Sequence, residues 1–172
     1  MLSIRSIAVL AAAVVTLTAS VCATADDSSK SYAVKIGASY VQTAAMQPSG
    51  TWLALGAEAK LATGLIPEGD ARICLDYAQR SKNGQTGSIT SLTLNQYFWI
   101  DGLEKTYVGV GFGPYWLKPA GYGTELVIGA KLSLGTNLTE RVFIEANYNF
   151  TDTVSGRDDR GDSLVLSVGC RL

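Results

Sequence analysis

Histidine is absent from all 172 residues, and the chain has only three cysteines, four prolines and two methionines. Without histidine it lacks the commonest general base and a common metal ligand. The sequence therefore argues against an enzyme and predicts no catalytic residue, no cofactor and no metal site.

Long apolar runs are also missing after residue 25, where no window of ~20 apolar residues could form a spanning helix. Positive charge is not in excess either. Once Arg5 is set aside from the 14 Lys and Arg residues, 13 remain against 15 Asp and Glu. A net charge of −2 excludes the basic field that nucleic-acid binding requires, so no nucleic-acid partner is expected.

The first 25 residues have the pattern of a secretory signal peptide. Arg5 provides the positive n-region, residues 7–21 form an apolar stretch, and residues 23–25 (Ala-Thr-Ala) form a small-residue cleavage site. We predict that residues 1–25 are cleaved and that residues 26–172 form one domain.

Period-two alternation dominates the remainder and predicts an all-β fold of about eight antiparallel strands. One phase of these segments is apolar throughout, as in Leu53, Leu55 and Ala57, and its only amide is Gln96. Aromatic residues fall near the segment ends, which favours girdles at two membrane interfaces. The pattern therefore predicts an up-and-down transmembrane β-barrel with an apolar outer wall.

The opposite phase mixes small residues with charges of both signs. Such charges are costly in a dry core unless they are paired, but they suit a barrel lumen in which acids and bases neutralise one another. Pairing is expected between adjacent strands, such as Glu58 or Lys60 with Arg72 or Asp76. The predicted lumen charge network comprises Lys35, Glu58, Lys60, Arg72, Asp76, Glu125, Lys131, Arg141, Glu145 and Arg171.

The connections between segments suggest an orientation. If the first strand starts on the periplasmic side, the connections on the outer side are on the whole somewhat longer than those on the inner side, as in outer-membrane barrels. The predicted outer connections lie near residues 41–51, 79–88, 114–124 and 151–162, and the inner ones near 62–70, 99–106 and 135–140.

A signal peptide, eight alternating segments and an alternating strand at the chain end together resemble the small OmpA/OmpX-type outer-membrane barrels. That resemblance implies that the barrel-assembly machinery reads the last strand, which usually ends in an aromatic residue. The corresponding signal here is Leu164, Leu166, Val168, Cys170 and Leu172, with leucine in the final place. Lipid-modifying barrels of this size rely on a histidine beside a serine, and the chain has no histidine.

The main functional hypothesis is a scaffold or surface-interaction protein of the cell outer membrane, with a polar lumen filled by side chains. Its expected partners are outer-membrane lipid, the barrel-assembly machinery and an unknown surface ligand at the outer loops. The alternative is a soluble periplasmic β-sandwich or lipocalin-like binding protein, because alternation alone does not say which face is wet. A narrow channel and a lipid-modifying enzyme are weaker alternatives.

Overall fold

The computed structural model describes residues 32–42, 46, 50–61, 66, 69–153 and 160–172. The predicted signal peptide, residues 1–25, lies outside these ranges. In the described residues the chain forms eight strands: β1 (Tyr32–Val41), β2 (Thr51–Lys60), β3 (Asp70–Lys82), β4 (Gln85–Ile100), β5 (Leu103–Lys118), β6 (Glu125–Asn137), β7 (Val142–Thr151) and β8 (Ser163–Arg171). Within the same ranges, no helix is long and apolar enough to cross a membrane.

Each strand pairs with its sequence neighbours, and β8 pairs with β1 to close the barrel. All eight pairings are antiparallel. The prediction of an all-β, up-and-down, eight-stranded barrel is therefore confirmed. Closure leaves no strand edge without a hydrogen-bonding partner, which any strand-built membrane protein requires.

The strands are staggered around the barrel. A row of paired residues that begins at Tyr32 on β1 passes through all the other strands and reaches Asp162 beside β8. The carbonyl of Asp162 accepts a hydrogen bond from the amide of Gln42, ten positions beyond the start of the row. A shear of ten on eight strands requires a strand tilt of roughly 40° and leaves an interior that side chains fill.

Two predicted connections are much shorter than the sequence suggested. Residues 79–88 were expected to form a loop, but β3 and β4 continue through them to a two-residue turn at Asn83 and Gly84. Both turn residues have positive φ, 53° and 76°, as a type I′ hairpin requires. Strands β4 and β5 likewise extend into residues 99–106 and leave a turn at 101–102, with a register shift between Trp99 and Ile100.

Pro114 falls at the start of the connection predicted near residues 114–124 but lies inside β5. The β4–β5 pairing is interrupted between Ser91↔Tyr115 and Leu94↔Phe112, next to this residue. Proline has no N–H, so it donates no ladder hydrogen bond towards β4, while its register with Ile128 on β6 is retained.

The apolar phase faces outward. Phe112, Leu126 and Ile128 are each more than 60% exposed, whereas Lys131 and Glu58 on the opposite phase are buried. A soluble lipocalin-like barrel needs the reverse arrangement, and a sandwich needs two separate sheets. The structure therefore contradicts the soluble alternative. We call the outward apolar residues the belt, and we call the end that carries the β1–β2, β3–β4, β5–β6 and β7–β8 connections the upper end.

Candidate functional site: the barrel lumen

The lumen is the part of the molecule where polar chemistry is concentrated. Alternation directs every second side chain of the eight strands into it, and these side chains form three layers. A layer of charged and polar groups occupies the middle, with an apolar cluster above it and an aromatic cluster below it.

Lys35 is the centre of the middle layer. Its ammonium nitrogen lies 2.7 Å from Glu58 Oε1, 3.0 Å from Glu145 Oε1 and 3.5 Å from Asp76 Oδ1. The Lys35 side chain is 3% exposed. One cation on β1 therefore links carboxylates from β2, β3 and β7 across the interior.

Two further cations complete this cluster. Lys131 Nζ lies 2.7 Å from Asp76 Oδ2, and Arg72 Nη1 donates to Glu58 Oε2 at 2.9 Å. Three cations thus face three carboxylates, and the cluster is neutral as a whole. Neutrality and pairing are the conditions under which buried charges are tolerated. We call these residues the ion-pair network: Lys35, Glu58, Arg72, Asp76, Lys131 and Glu145.

Neutral polar side chains satisfy the remaining acceptors of the network. Glu145 accepts hydrogen bonds from the Tyr107 hydroxyl at 3.0 Å and from Asn147 Nδ2 at 2.8 Å. Ser133 in turn donates to Asn147 Oδ1 at 2.6 Å. These contacts fix the Glu145 carboxylate, because each of its oxygens has a defined donor.

An apolar cluster fills the lumen above the network. Trp52, Tyr115 and Leu117 are at most 1% exposed. Met46, from the β1–β2 connection, is fully buried among them. The upper apolar cluster consists of Val41, Met46, Trp52, Ala54, Ala78, Ile89, Tyr115, Leu117 and Val127.

An aromatic cluster closes the lumen below the network. Ala33, Tyr97, Tyr107 and Phe143 pack together, and the Tyr97 and Tyr107 rings meet edge to face at 5.4 Å. Gly135 makes room for this cluster, because a Cβ there would clash with the Tyr107 ring. We call these four residues the lower aromatic cluster.

A small cavity separates the network from the upper apolar cluster. Lys35, Asp76 and Lys131 line it from below, and Ala54 and Ile89 line it from above. The volume inside it that the centre of a water molecule can occupy is about 30 Å³. One water needs roughly 10–15 Å³ on this measure. The cavity has room for about two waters, not for a solute.

Six of the ten predicted lumen charges belong to the ion-pair network, and four lie elsewhere. Lys60 pairs with Asp70 at 2.7 Å near the lower end, not with Asp76. The Arg171 guanidinium lies 4.8 Å from the centre of the Phe143 ring. Glu125 begins β6 at the upper end opposite Leu117, and Arg141 precedes β7 at the lower end. The expected Glu58–Arg72 pair is present.

The proposed assembly strand forms the closing seam. In β8, Leu164 and Leu166 face outward and are 39% and 57% exposed. Cys170 lies opposite Val34 and Val142, which places it on the same phase. The amide of Leu172 donates to the carbonyl of Tyr32 at 2.9 Å. Val168 shares this outward phase through its register with Ile36 and Ile144.

Sequence reasoning missed the neutral partners of the network. Tyr97 and Asn147 share the inward phase of their strands and are buried beside Glu58 and Glu145. Their phase was readable from the alternation, but their partners on distant strands were not. Asp70 was missed because it lies at the first residue of β3, where the alternation begins.

By sequence alone, the chain matches no protein-family model and no curated protein. Its fold does match solved structures. The outer membrane protein Ail of Yersinia pestis, studied in phospholipid bilayer nanodiscs, is 13% identical, with a TM-score of 0.55 over 82% of this chain and 98% of that chain. The N-terminal β-barrel domain of Pseudomonas aeruginosa OprF is 17% identical, with a TM-score of 0.53 over 81% and 97%. Neisserial surface protein A is 12% identical, with a TM-score of 0.55 over 83% and 97%.

All three neighbours are small barrels matched over almost their whole length. The predicted resemblance to small outer-membrane barrels is thus confirmed at the level of the fold. At these identities the likeness does not transfer a ligand or a residue role, so the function must be argued from this chain's own surfaces.

Proposed function

We propose that this protein is embedded in the cell outer membrane as a scaffold or surface-interaction barrel, and that it acts neither as a diffusion pore nor as an enzyme. The observation that carries the proposal is that the burial of apolar and charged side chains on the barrel wall is the opposite of that in a water-soluble protein. Leucine, isoleucine and phenylalanine are exposed around the outside, while lysine and glutamate are buried inside. Hydrocarbon is the solvent that stabilises this arrangement.

The dimensions of the belt support membrane embedding. On β1 the outward residues run from Tyr32 to Tyr40, both more than half exposed. About nine residues of ~3.3 Å each at this tilt span roughly 20–23 Å along the barrel axis, close to the apolar band of about 25 Å in outer-membrane barrels. Tyrosines at both ends suit the two polar interfaces.

The filled lumen argues against permeation. The upper apolar cluster and the lower aromatic cluster lie in series with the ion-pair network. Each layer contains side chains that are almost completely buried, and the cavity between two of them has room for about two waters. Contacts with partners are therefore proposed for the outer surface and the loops.

Three kinds of partner follow from this proposal. Lipid would cover the belt, the barrel-assembly machinery would recognise β8, and a surface ligand would bind at the upper end. The residues predicted for assembly are Leu164, Leu166, Val168, Cys170 and Leu172, and Leu172→Phe should speed membrane insertion if the assembly machinery reads the last residue.

Membrane fractionation tests the location. Full-length protein produced in a Gram-negative host should remain in carbonate-washed membranes and should change gel mobility when the sample is boiled. Recovery in the soluble periplasmic fraction, with the same mobility before and after boiling, would refute the proposal.

A liposome swelling assay tests the closed lumen. Vesicles that contain the folded protein should swell in small sugars no faster than protein-free vesicles, with a general porin as the positive control. Sugar uptake at the porin rate would show that the three layers do not seal the barrel.

A further inference from the structure

Gln96 is the only amide among the outward positions of β4. On β4 it lies opposite Ala71 and Val110, which both belong to the outward phase. Nevertheless it is only 4% exposed, whereas Val110 beside it is 52% exposed. Something other than lipid must therefore cover Gln96.

The β2–β3 connection contacts this side chain. Gln96 Nε2 donates to the carbonyl of Ile66 at 3.5 Å. The Ile66 carbonyl also accepts a hydrogen bond from the Gly69 amide at 3.3 Å. The Gly69 backbone lies so close to the outer wall that a Cβ there would clash with Gln96 Nε2 and would lie 3.3 Å from the Phe98 ring.

These contacts have a physical reason in a membrane. A primary amide at the lipid boundary is costly unless it is hydrogen-bonded, and so is a backbone carbonyl. The hydrogen bond between Gln96 Nε2 and the Ile66 carbonyl gives each of these two groups a partner. Gln96 lies four residues before the end of β4, at the lower end of the barrel, so the contact falls near the boundary of the belt.

The side chain of Ile66 is exposed beside the belt. It is 45% exposed although it is apolar, and its backbone is held beside the belt. An exposed isoleucine next to a lipid-facing wall fits the headgroup–acyl boundary better than it fits bulk water.

We propose that Gln96 fastens the backbone of Ile66, within the β2–β3 connection, to the outer wall and thereby holds the Ile66 side chain in the lipid headgroup–acyl boundary of the nearer leaflet. The proposal rests on the membrane location proposed above. It assigns Gln96 a positioning role and gives the lower end of the barrel a lipid contact beyond the strands.

Spin-label accessibility in phosphatidylcholine–phosphatidylglycerol vesicles tests this proposal. In a Cys74→Ser, Cys170→Ser background, single labels are placed by Ile66→Cys, by Val110→Cys as the belt reference, and by Asp101→Cys as the water reference. Collision with molecular oxygen reports lipid, and collision with a nickel chelate reports water. The oxygen-to-nickel ratio at Ile66 should lie between those of the two references.

The variant Gln96→Leu keeps the wall apolar and removes the hydrogen bond. It should lower the oxygen-to-nickel ratio at Ile66 towards that of Asp101, while Val110 is unchanged. Gln79→Leu is the matched control, since it removes an outward amide near the upper end and should leave the Ile66 ratio as it was.

The labels separate the two hypotheses. A water-like ratio at Val110 would overturn the membrane location itself. A lipid-like ratio at Val110 with a water-like ratio at Ile66 would overturn only the lipid contact of Ile66, and an Ile66 ratio that ignores Gln96→Leu would overturn the positioning role of Gln96.

Discussion

Lys131 and Leu132 are consecutive residues of β6 and follow opposite rules. The lysine is 1% exposed and the leucine is 49% exposed. In water this would be an inverted protein, but in the proposed membrane location each side chain faces a medium that suits it. The lysine meets Asp76 at 2.7 Å, and the leucine lies in the belt between its register partners Val110 and Tyr148.

The two surfaces therefore differ in what they demand from the sequence. The belt needs apolar character and little else, because lipid adapts to the shape of the side chains. The lumen needs matched partners, because a charge without one in a closed interior keeps its full desolvation cost. On the belt, any apolar substitution should be tolerated. In the lumen, a substitution should be tolerated only if it keeps the contact that the original side chain makes.

The largest effect should follow from removing the central cation. Lys35→Met leaves three carboxylates without their shared partner and should cost about 3–5 kcal/mol of unfolding free energy. Urea unfolding in lipid vesicles measures this loss. Lys60→Met is the control, because the Lys60 side chain is 47% exposed and its loss should cost about 0–1 kcal/mol. Equal losses would mean that the interior is hydrated like the rim.

A charge on the belt should have the next largest effect, and its depth should matter. Leu132 lies in the middle of β6, whereas Ile128 lies near its upper end. Leu132→Arg should cost about 2–4 kcal/mol, and Ile128→Arg about 0–1 kcal/mol, because the second guanidinium reaches the polar interface. The same unfolding assay applies, and a larger loss at Ile128 than at Leu132 would contradict the depth assigned to the belt.

A lumen hydrogen bond to a charged acceptor should contribute more to the unfolding free energy than one to a neutral acceptor. The Tyr107 hydroxyl donates to the Glu145 carboxylate at 3.0 Å, and the Tyr115 hydroxyl donates to the Asn149 amide oxygen at 3.2 Å. Tyr107→Phe should cost about 1.5–3 kcal/mol and Tyr115→Phe about 0.5–1.5 kcal/mol. The reverse order in urea unfolding would show that Glu145 does not depend on Tyr107.

The smallest effect is expected at the rim pair. A double-mutant cycle on Lys60 and Asp70 should give a coupling of about 0.2–1 kcal/mol, because Lys60 is largely solvated. The same cycle on Lys131 and Asp76 should give a larger coupling, within about 0.5–3 kcal/mol. Additivity at Lys131 and Asp76 would remove the distinction between the network and the rim.

Particular residues show how far sequence reasoning reached. Alternation identified the inward phase of Glu58 and Arg72, and adjacency of β2 and β3 correctly predicted their pairing. The same argument suggested Lys60 with Asp76, which is wrong because Asp76 pairs across the lumen with Lys35 and Lys131. Strand order gives neighbours along the wall, but it does not give neighbours across the interior.

The β3–β4 turn also shows which part of the structure was predicted from the sequence and which was not. Residues 79–88 have the polar character of a loop, yet Asn83-Gly84 is the local signal of a tight hairpin, and the strands run up to it. Composition favoured the loop. The turn residues decided the strand length, because they adopt the positive φ values that a two-residue connection needs.

The sequence by itself determined the number of strands, their antiparallel order and the division of each strand into an apolar and a polar phase, because side-chain direction in a strand has period two. Only the tertiary structure decided which phase faces inward. Closure with a shear of ten curled the sheet so that the charged phase lies inside. It also brought β1, β3, β6 and β7 together across the lumen, where Lys35 and Lys131 meet Asp76 and Glu145. Alternation sets directions relative to the local sheet, while contacts across the lumen depend on the curvature of the whole barrel.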